Sequence, residues 1–164
     1  MGKGEAVVST EGTEAGASTS GRSRVVVAAD HSLASGVLKE VLCQQPDFEV
    51  VGEAHEGYEV LELCRRLLPE VVLIEARIPN MNGIEATRRI KREFPWIPVL
   101  VMDTLGNPNH LLEAIEAGAA GYVLKSSGLQ CVRDAVRGVL MGENPLDEET
   151  TVELLRRLAD EASN

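Results

Sequence analysis

The sequence predicts a doubly wound α/β/α sandwich: a five-stranded parallel sheet with helices on both faces and one extra helix at the C-terminus. Three observations carry this. Short apolar runs begin near Val25, Phe48, Val71, Val99 and Gly121, a little over twenty residues apart, the length of a repeating strand and helix unit. The runs are continuous in Val, Leu and Ile, as strands buried on both faces require. Between them, apolar residues recur at helical spacing.

Each element has its own signal. Residues 1–23 are rich in Gly, Ser, Thr, Ala and Glu, a composition that cannot offset its ordering entropy, and are expected to be a disordered tail. The domain proper is expected over 24–143. Its first helix is marked by Leu33, Val37, Val41 and Leu42, and its second by Val60, Leu63 and Leu67, ending at Pro69. The third spans Gly83–Phe94, with Ile84 and Ile90 on one face and Pro95 as its stop. A fourth covers Asn109–Ala117 and closes on Gly118, where a left-handed cap is natural. The fifth, Leu129–Met141, carries Leu129, Val132, Val136, Val139 and Leu140.

Residues 144–164 are read as a linker and C-terminal helix. Asp147 can cap a helix over Glu148–Ala162, with Val152, Leu155, Leu158 and Ala159 as its apolar stripe. That stripe either packs on the sandwich or serves as a linker or dimer surface.

Composition narrows the function classes. The chain has 164 residues, 44% of them hydrophobic, enough for one domain with a proper core. Its net charge of −10 speaks against nucleic acid or an anionic membrane as a direct partner. No apolar stretch approaches the ~20 residues needed to span a bilayer, and residues 1–24 hold no apolar core for a signal peptide. Cys43, Cys64 and Cys131 lack metal-ligand spacing and are read as buried reduced thiols, which places the chain in the cytoplasm.

Four of the strand-like runs end in a charged residue: Asp30, Glu75, Asp103 and Lys125. In a doubly wound sheet the carboxyl ends of neighbouring strands converge on one crevice, where ligands bind. Three carboxylates and a lysine are therefore expected to meet there. Charges ~4 Å apart at an effective dielectric of ~20 interact by ~4 kcal/mol, so Lys125 is expected to bridge to Glu75 or Asp103.

The motifs VVVAADH (Val25–His31), VVGEAHEG (Val50–Gly57), VVLIEARIPNMNGIEATRRI (Val71–Ile90) and AGAAGYVLKS (Ala117–Ser126) resemble the receiver domain of bacterial response regulators, particularly the NarL/FixJ (LuxR-type) branch. The spacings agree, with 28 residues from Glu75 to Asp103 and 22 from Asp103 to Lys125. The resemblance implies the CheY-like (flavodoxin-like) fold. It also implies a site in which an acidic pair and an acceptor Asp bind Mg²⁺, a lysine holds the phosphoryl oxygen, and a Ser or Thr hydrogen-bonds it.

Against that pattern three positions differ. Ala29 replaces one member of the acidic pair and leaves Asp30, Glu75 stands at the acceptor position, and Asp103 stands where the hydroxyl belongs. The extra methylene of glutamate moves its carboxylate by up to about 1.5 Å, and such a displacement can cost ~10²-fold in attack. An ionised Asp103 cannot donate a hydrogen bond and repels a phosphoryl group. Thr104 is expected to point away by strand alternation.

Asp30, Glu75 and the backbone carbonyl of Arg77 remain as weak Mg²⁺ candidates, and binding is expected to be weak or absent. Tyr122 falls at the aromatic switch position that the resemblance implies, and is read as an edge packing residue. His31, His55 and His110 are read as structural or solvent-facing, and Trp96 as tucked against the sandwich.

The expected function is an atypical, phosphorylation-independent receiver of a NarL/LuxR-type transcription regulator, with no catalytic residue. It would act through homodimerisation or protein contacts, and would reach DNA only through a helix-turn-helix domain that this chain lacks. Glu75 is either a constant mimic of a phosphorylated aspartate or a relic, with the relic favoured because Asp103 removes the hydroxyl a mimic would recruit. The alternative is a metal- or small-ligand-binding receiver-like domain with residual phosphate chemistry.

Overall fold

The computed structural model describes residues 21–163. The strands are β1 (Ser23–Ala28), β2 (Phe48–Ala54), β3 (Val71–Glu75), β4 (Val99–Asp103) and β5 (Gly121–Leu124). The helices are α1 (Leu33–Cys43), α2 (Gly57–Leu67), α3 (Gly83–Glu93), α4 (Pro108–Glu116), α5 (Leu129–Leu140) and α6 (Glu148–Ser163), with a 3-10 turn at Lys125–Ser127. All strand pairs are parallel, in the order β2-β1-β3-β4-β5. This is the doubly wound sheet that the repeating apolar runs predict, in the CheY-like arrangement that the resemblance implies.

Alternate strand residues feed two cores, which is why the runs of β1, β3 and β4 are apolar nearly throughout, while the edge strand β2 carries Glu49 and Glu53 and is mostly half-buried. Val26, Ala28, Val72, Ile74, Val99 and Val101 pack with residues of α2, α3 and α4. Val25, Val27, Leu73, Leu100, Met102 and Val123 pack with residues of α1 and α5 on the other face. Helix starts are fixed by side-chain caps: Ser32 accepts from the Ser35 N–H, Asn82 from Glu85, and Asn107 from Asn109 and His110. At the other end of α4, Gly118 takes the left-handed conformation with φ +97°.

Several expectations need correction. β1 begins at Ser23, paired with Phe48, so the sheet reaches one residue into the expected tail; residues 1–20 of that tail lie outside the described residues. On α1 the buried apolar side chains are Leu38 and Leu42, which pack with Val25, Val27 and Leu73 of the sheet, and Val37 lies off that row and is exposed. On α6 the buried side chains are Thr150 and Leu154, and the stripe of Val152, Leu155, Leu158 and Ala159 faces outward, so of its two expected fates packing on the sandwich is the one that fails. Trp96 is 68% exposed, its ring edge-on to buried Phe94. Of the three cysteines only Cys64 is buried, where desolvation pushes its thiol up to about 12; Cys43 and Cys131 are exposed. No helix among the described residues is long and apolar enough to cross a membrane.

Candidate functional site at the strand carboxyl ends

β1 and β3 deliver Asp30 and Glu75 side by side, and β4 and β5 deliver Asp103 and Lys125. The loop after β3 is drawn tightly back over the sheet. Gly83 N–H donates to the Ala76 carbonyl, and a Cβ at Gly83 would lie 1.9 Å from the Glu75 carbonyl oxygen. Only glycine allows α3 to start that close to the site.

The four side chains form two clusters instead of one. In the first, both oxygens of Glu75 are engaged, at 4% exposure. Oε1 accepts the Asp30 N–H at 2.6 Å and Oε2 accepts from Lys125 Nζ at 2.5 Å. Lys125 also donates to Ser35 Oγ at 3.3 Å, and Ser35 Oγ donates to Asp30 Oδ1 at 2.7 Å. Ser32 N–H reaches the same Oδ1 at 2.9 Å. Hydrogen bonding from Ser32, opposed by partial burial and reinforced by Ser35 and Lys125, holds the Asp30 carboxyl at about 2. The expected Lys125 bridge is present, and Glu75 is its carboxylate.

The second cluster surrounds Asp103, 5% exposed. Its Oδ2 accepts from the Tyr122 hydroxyl at 2.6 Å and from His110 Nδ1 at 2.8 Å, and its Oδ1 accepts the Thr104 N–H at 2.9 Å. Thr104 itself is exposed, as strand alternation requires. Tyr122 is fully buried and its phenol is held above its usual range by desolvation and by Asp103, so the hydroxyl stays protonated and donates. The reading of Tyr122 as an edge packing residue is therefore corrected: its ring is inside and its oxygen has a committed partner.

Two members of these clusters escaped the sequence reading. Ser35 lies in the first turn of α1, just above the end of β1. His110 lies in the first turn of α4, above the end of β4, seven residues past Asp103. The available signal was positional: in this topology the first turn of each helix covers the end of the strand before it. Elsewhere, His31 and His55 stack with centroids 3.8 Å apart, and His55 Nδ1 donates to the Ala29 carbonyl at 2.9 Å. They roof a cavity of about 320 Å³ lined also by Ala29, Asp30, Ser35 and Lys39.

The carboxylate oxygens that would hold a magnesium ion are mostly engaged by protein donors. A hard, octahedral cation needs free carboxylate oxygens. Ala29 supplies none, Asp30 Oδ1 is committed to Ser32 and Ser35, and both Glu75 oxygens are occupied. Among the described residues no group of three or more His, Cys, Asp or Glu is arranged to hold a metal.

Residues 25–137 match the family model of the response regulator receiver domain. The transcriptional regulatory protein LiaR of Bacillus subtilis (strain 168) is 36% identical over 141 residues, covering 86% of this chain and 67% of LiaR. A two-component response regulator of the LuxR family from Aurantimonas sp. SI85-9A1 superposes with a TM-score of 0.79 at 28% identity, covering 84% of this chain and 99% of that one. The receiver domain of the response regulator NarL from Mycobacterium tuberculosis gives 0.69 at 32% identity, covering 74% and 98%. The chain spans 60 to 67% of the length of the curated relatives it matches.

Proposed function

This chain belongs to the response regulator receiver domain family, and from that premise we propose that it is an atypical, phosphorylation-independent receiver of a NarL/LuxR-type transcription regulator. As a member of that family it is a signalling domain and not an enzyme. The observation that carries the reading is the Glu75 carboxylate, one oxygen on Lys125 and the other on the Asp30 N–H. Lys125 is the group that would receive a phosphoryl oxygen, and here it is spent on the residue at the acceptor position.

Asp103 adds a second obstacle. A carboxylate stands where a hydroxyl would have to approach the phosphoryl group, and its lone pairs already belong to Tyr122, His110 and Thr104. The same commitment favours a relic over a constant mimic: Glu75 reaches Lys125, but no hydroxyl follows it.

Output would then pass through contacts between proteins. Val152, Leu155 and Leu158 are exposed along α6 and give a second copy of the chain an apolar surface. Any hold on DNA would come from a separate domain of the regulator, since this segment carries a net charge of −10. The proposed receiver runs from Ser23, where β1 starts, to 143, followed by a linker and C-terminal helix over 144–164.

The test is chemical. The protein is incubated with acetyl phosphate or phosphoramidate and Mg²⁺ and then weighed intact. The expected result is unchanged mass, with the Glu75→Asp variant as the comparison that restores acceptor length. A phosphoryl adduct on the wild-type chain would overturn the proposal.

A small-ligand reading rests on the cavity beside Ala29. It requires a thermal shift with a metabolite that is lost when Ala29 is enlarged to Leu.

A further inference from the structure

We propose that Asp103 closes a ring of contacts that clamps α6 onto α4, so that the residue at position 103 sets the placement of the C-terminal helix. The inference does not depend on whether Glu75 can accept a phosphoryl group, and it survives the failure of that reading.

The ring can be followed atom by atom. From Asp103 Oδ2 the first step is the Tyr122 hydroxyl at 2.6 Å. Tyr122 then carries the connection through its backbone to the segment that follows α5. Its N–H donates to the Pro145 carbonyl at 2.9 Å and its carbonyl accepts the Asp147 N–H at 2.8 Å, so Leu146 runs as a parallel bridge along the β5 edge. An edge that would otherwise present unpaired backbone groups is sealed by the chain itself.

Asp147 next fixes the start of α6. Its Oδ2 accepts the Thr150 N–H at 2.9 Å and the Thr150 hydroxyl at 2.6 Å. α6 returns to α4 by two contacts. Leu154 is buried in the cluster that holds Leu111 and Ala114 of α4, and Arg157 donates to Asn109 Oδ1 at 3.0 Å. The last step is His110, also on α4, whose Nδ1 donates to Asp103 Oδ2 at 2.8 Å.

The space inside the ring is filled. The loop that leaves Asp103 passes directly beneath α6, and a Cβ at Gly106 would lie 2.3 Å from Thr150 Oγ1. The Asn107 N–H meets the Tyr122 hydroxyl at 3.3 Å, which ties that loop to the same oxygen. A change at Asp103 therefore acts on both attachments of α6, the one through β5 and the one through α4. Hydrogen-bonded groups that share one acceptor respond as a unit.

The consequence is a fixed arm. The exposed row of Val152, Leu155 and Leu158 is presented at a constant position without any covalent modification. A receiver that lacks its phosphoryl switch would keep one defined output surface by this means.

Hydrogen exchange of the whole chain, read by mass spectrometry, tests the ring. Tyr122→Phe removes one hydroxyl and leaves the backbone bonds to Pro145 and Asp147 intact. It is expected to speed exchange over residues 148–158 about tenfold while β1 and β3 keep their wild-type protection. Because coupling is reciprocal, Leu154→Ala is expected to speed exchange over Thr104–Leu111 in return.

Asp103→Thr restores a hydroxyl without the carboxylate and is expected to loosen both segments more than Tyr122→Phe does. If it raises exchange throughout β1 and β3 as well, it reports global unfolding, and Tyr122→Phe with Leu154→Ala decide the question. Wild-type exchange of 148–158 in Tyr122→Phe, or of 104–111 in Leu154→Ala, would overturn the proposal.

Discussion

The two halves of the crevice neutralise their buried carboxylates in different ways. Glu75 takes a full positive charge from Lys125, with the Asp30 N–H on its second oxygen. Asp103 has no lysine or arginine as a hydrogen-bond partner and is held by the Tyr122 hydroxyl, the His110 imidazole and the Thr104 N–H. The first arrangement concentrates its energy in one contact. The second spreads it over three elements, so it stabilises geometry more than it stabilises charge.

That contrast fixes the order of the effects. Lys125→Met should be the most damaging, because Glu75 is 4% exposed and would be left buried without its cation. The expected loss is about 3–5 kcal/mol in chemical denaturation. Adding Glu75→Gln to Lys125→Met should recover a large part of it. A double-variant loss equal to the sum of the Lys125→Met and Glu75→Gln losses would mean that the pair contributes no coupling.

Asp103→Ala comes next. It strands the Tyr122 hydroxyl in a fully buried position, at an expected cost of about 1–3 kcal/mol. His110→Ala should cost about 1 kcal/mol in the same measurement, since it removes one donor among three and is partly solvated. A His110 effect larger than the Asp103 effect would show that the imidazole has a role outside this cluster.

The smallest effect is a pH slope. Asp30 is held at about 2 in the folded chain against an ordinary 3.8, so its contribution to stability is fully present above about pH 4. It is lost as pH falls toward 2. Asp30→Asn should flatten the acid limb of the stability curve in that window and leave the curve above it parallel to wild type. An unchanged slope between pH 4 and 2 would detach Asp30 from the Lys125 cluster.

The same contrast separates what the sequence made legible from what it did not. Continuous apolar runs at a regular spacing carried β1, β3 and β4, because strands buried on both faces leave no ambiguity of face or period, and the same spacing placed the half-buried edge strand β2. A Lys125 bridge to Glu75 or Asp103 followed from topology and charge: strand ends, opposite signs, little water; which of the two carboxylates takes it did not. The Asp103 cluster did not follow, because its partners are polar groups with weak sequence signatures. His110 has the same look as any helical histidine until the first turn of α4 is set over β4.

The α6 stripe was open between two fates for a related reason. Helical periodicity identifies an apolar row, but only packing decides which of two neighbouring rows is buried, and here Leu154 prevails over Leu155. The cysteines show the same gap: their helical settings were readable, while the outward placement of Cys43 and Cys131 depended on helix rotation.

The central claim, a phosphoryl pocket closed by its own salt bridge, is tested most directly by fluorine NMR of the protein with beryllium fluoride and Mg²⁺. The account predicts only the resonances of free fluoroberyllate species, with Lys125 still on Glu75. A bound fluoride signal that disappears in the Glu75→Gln variant would contradict it.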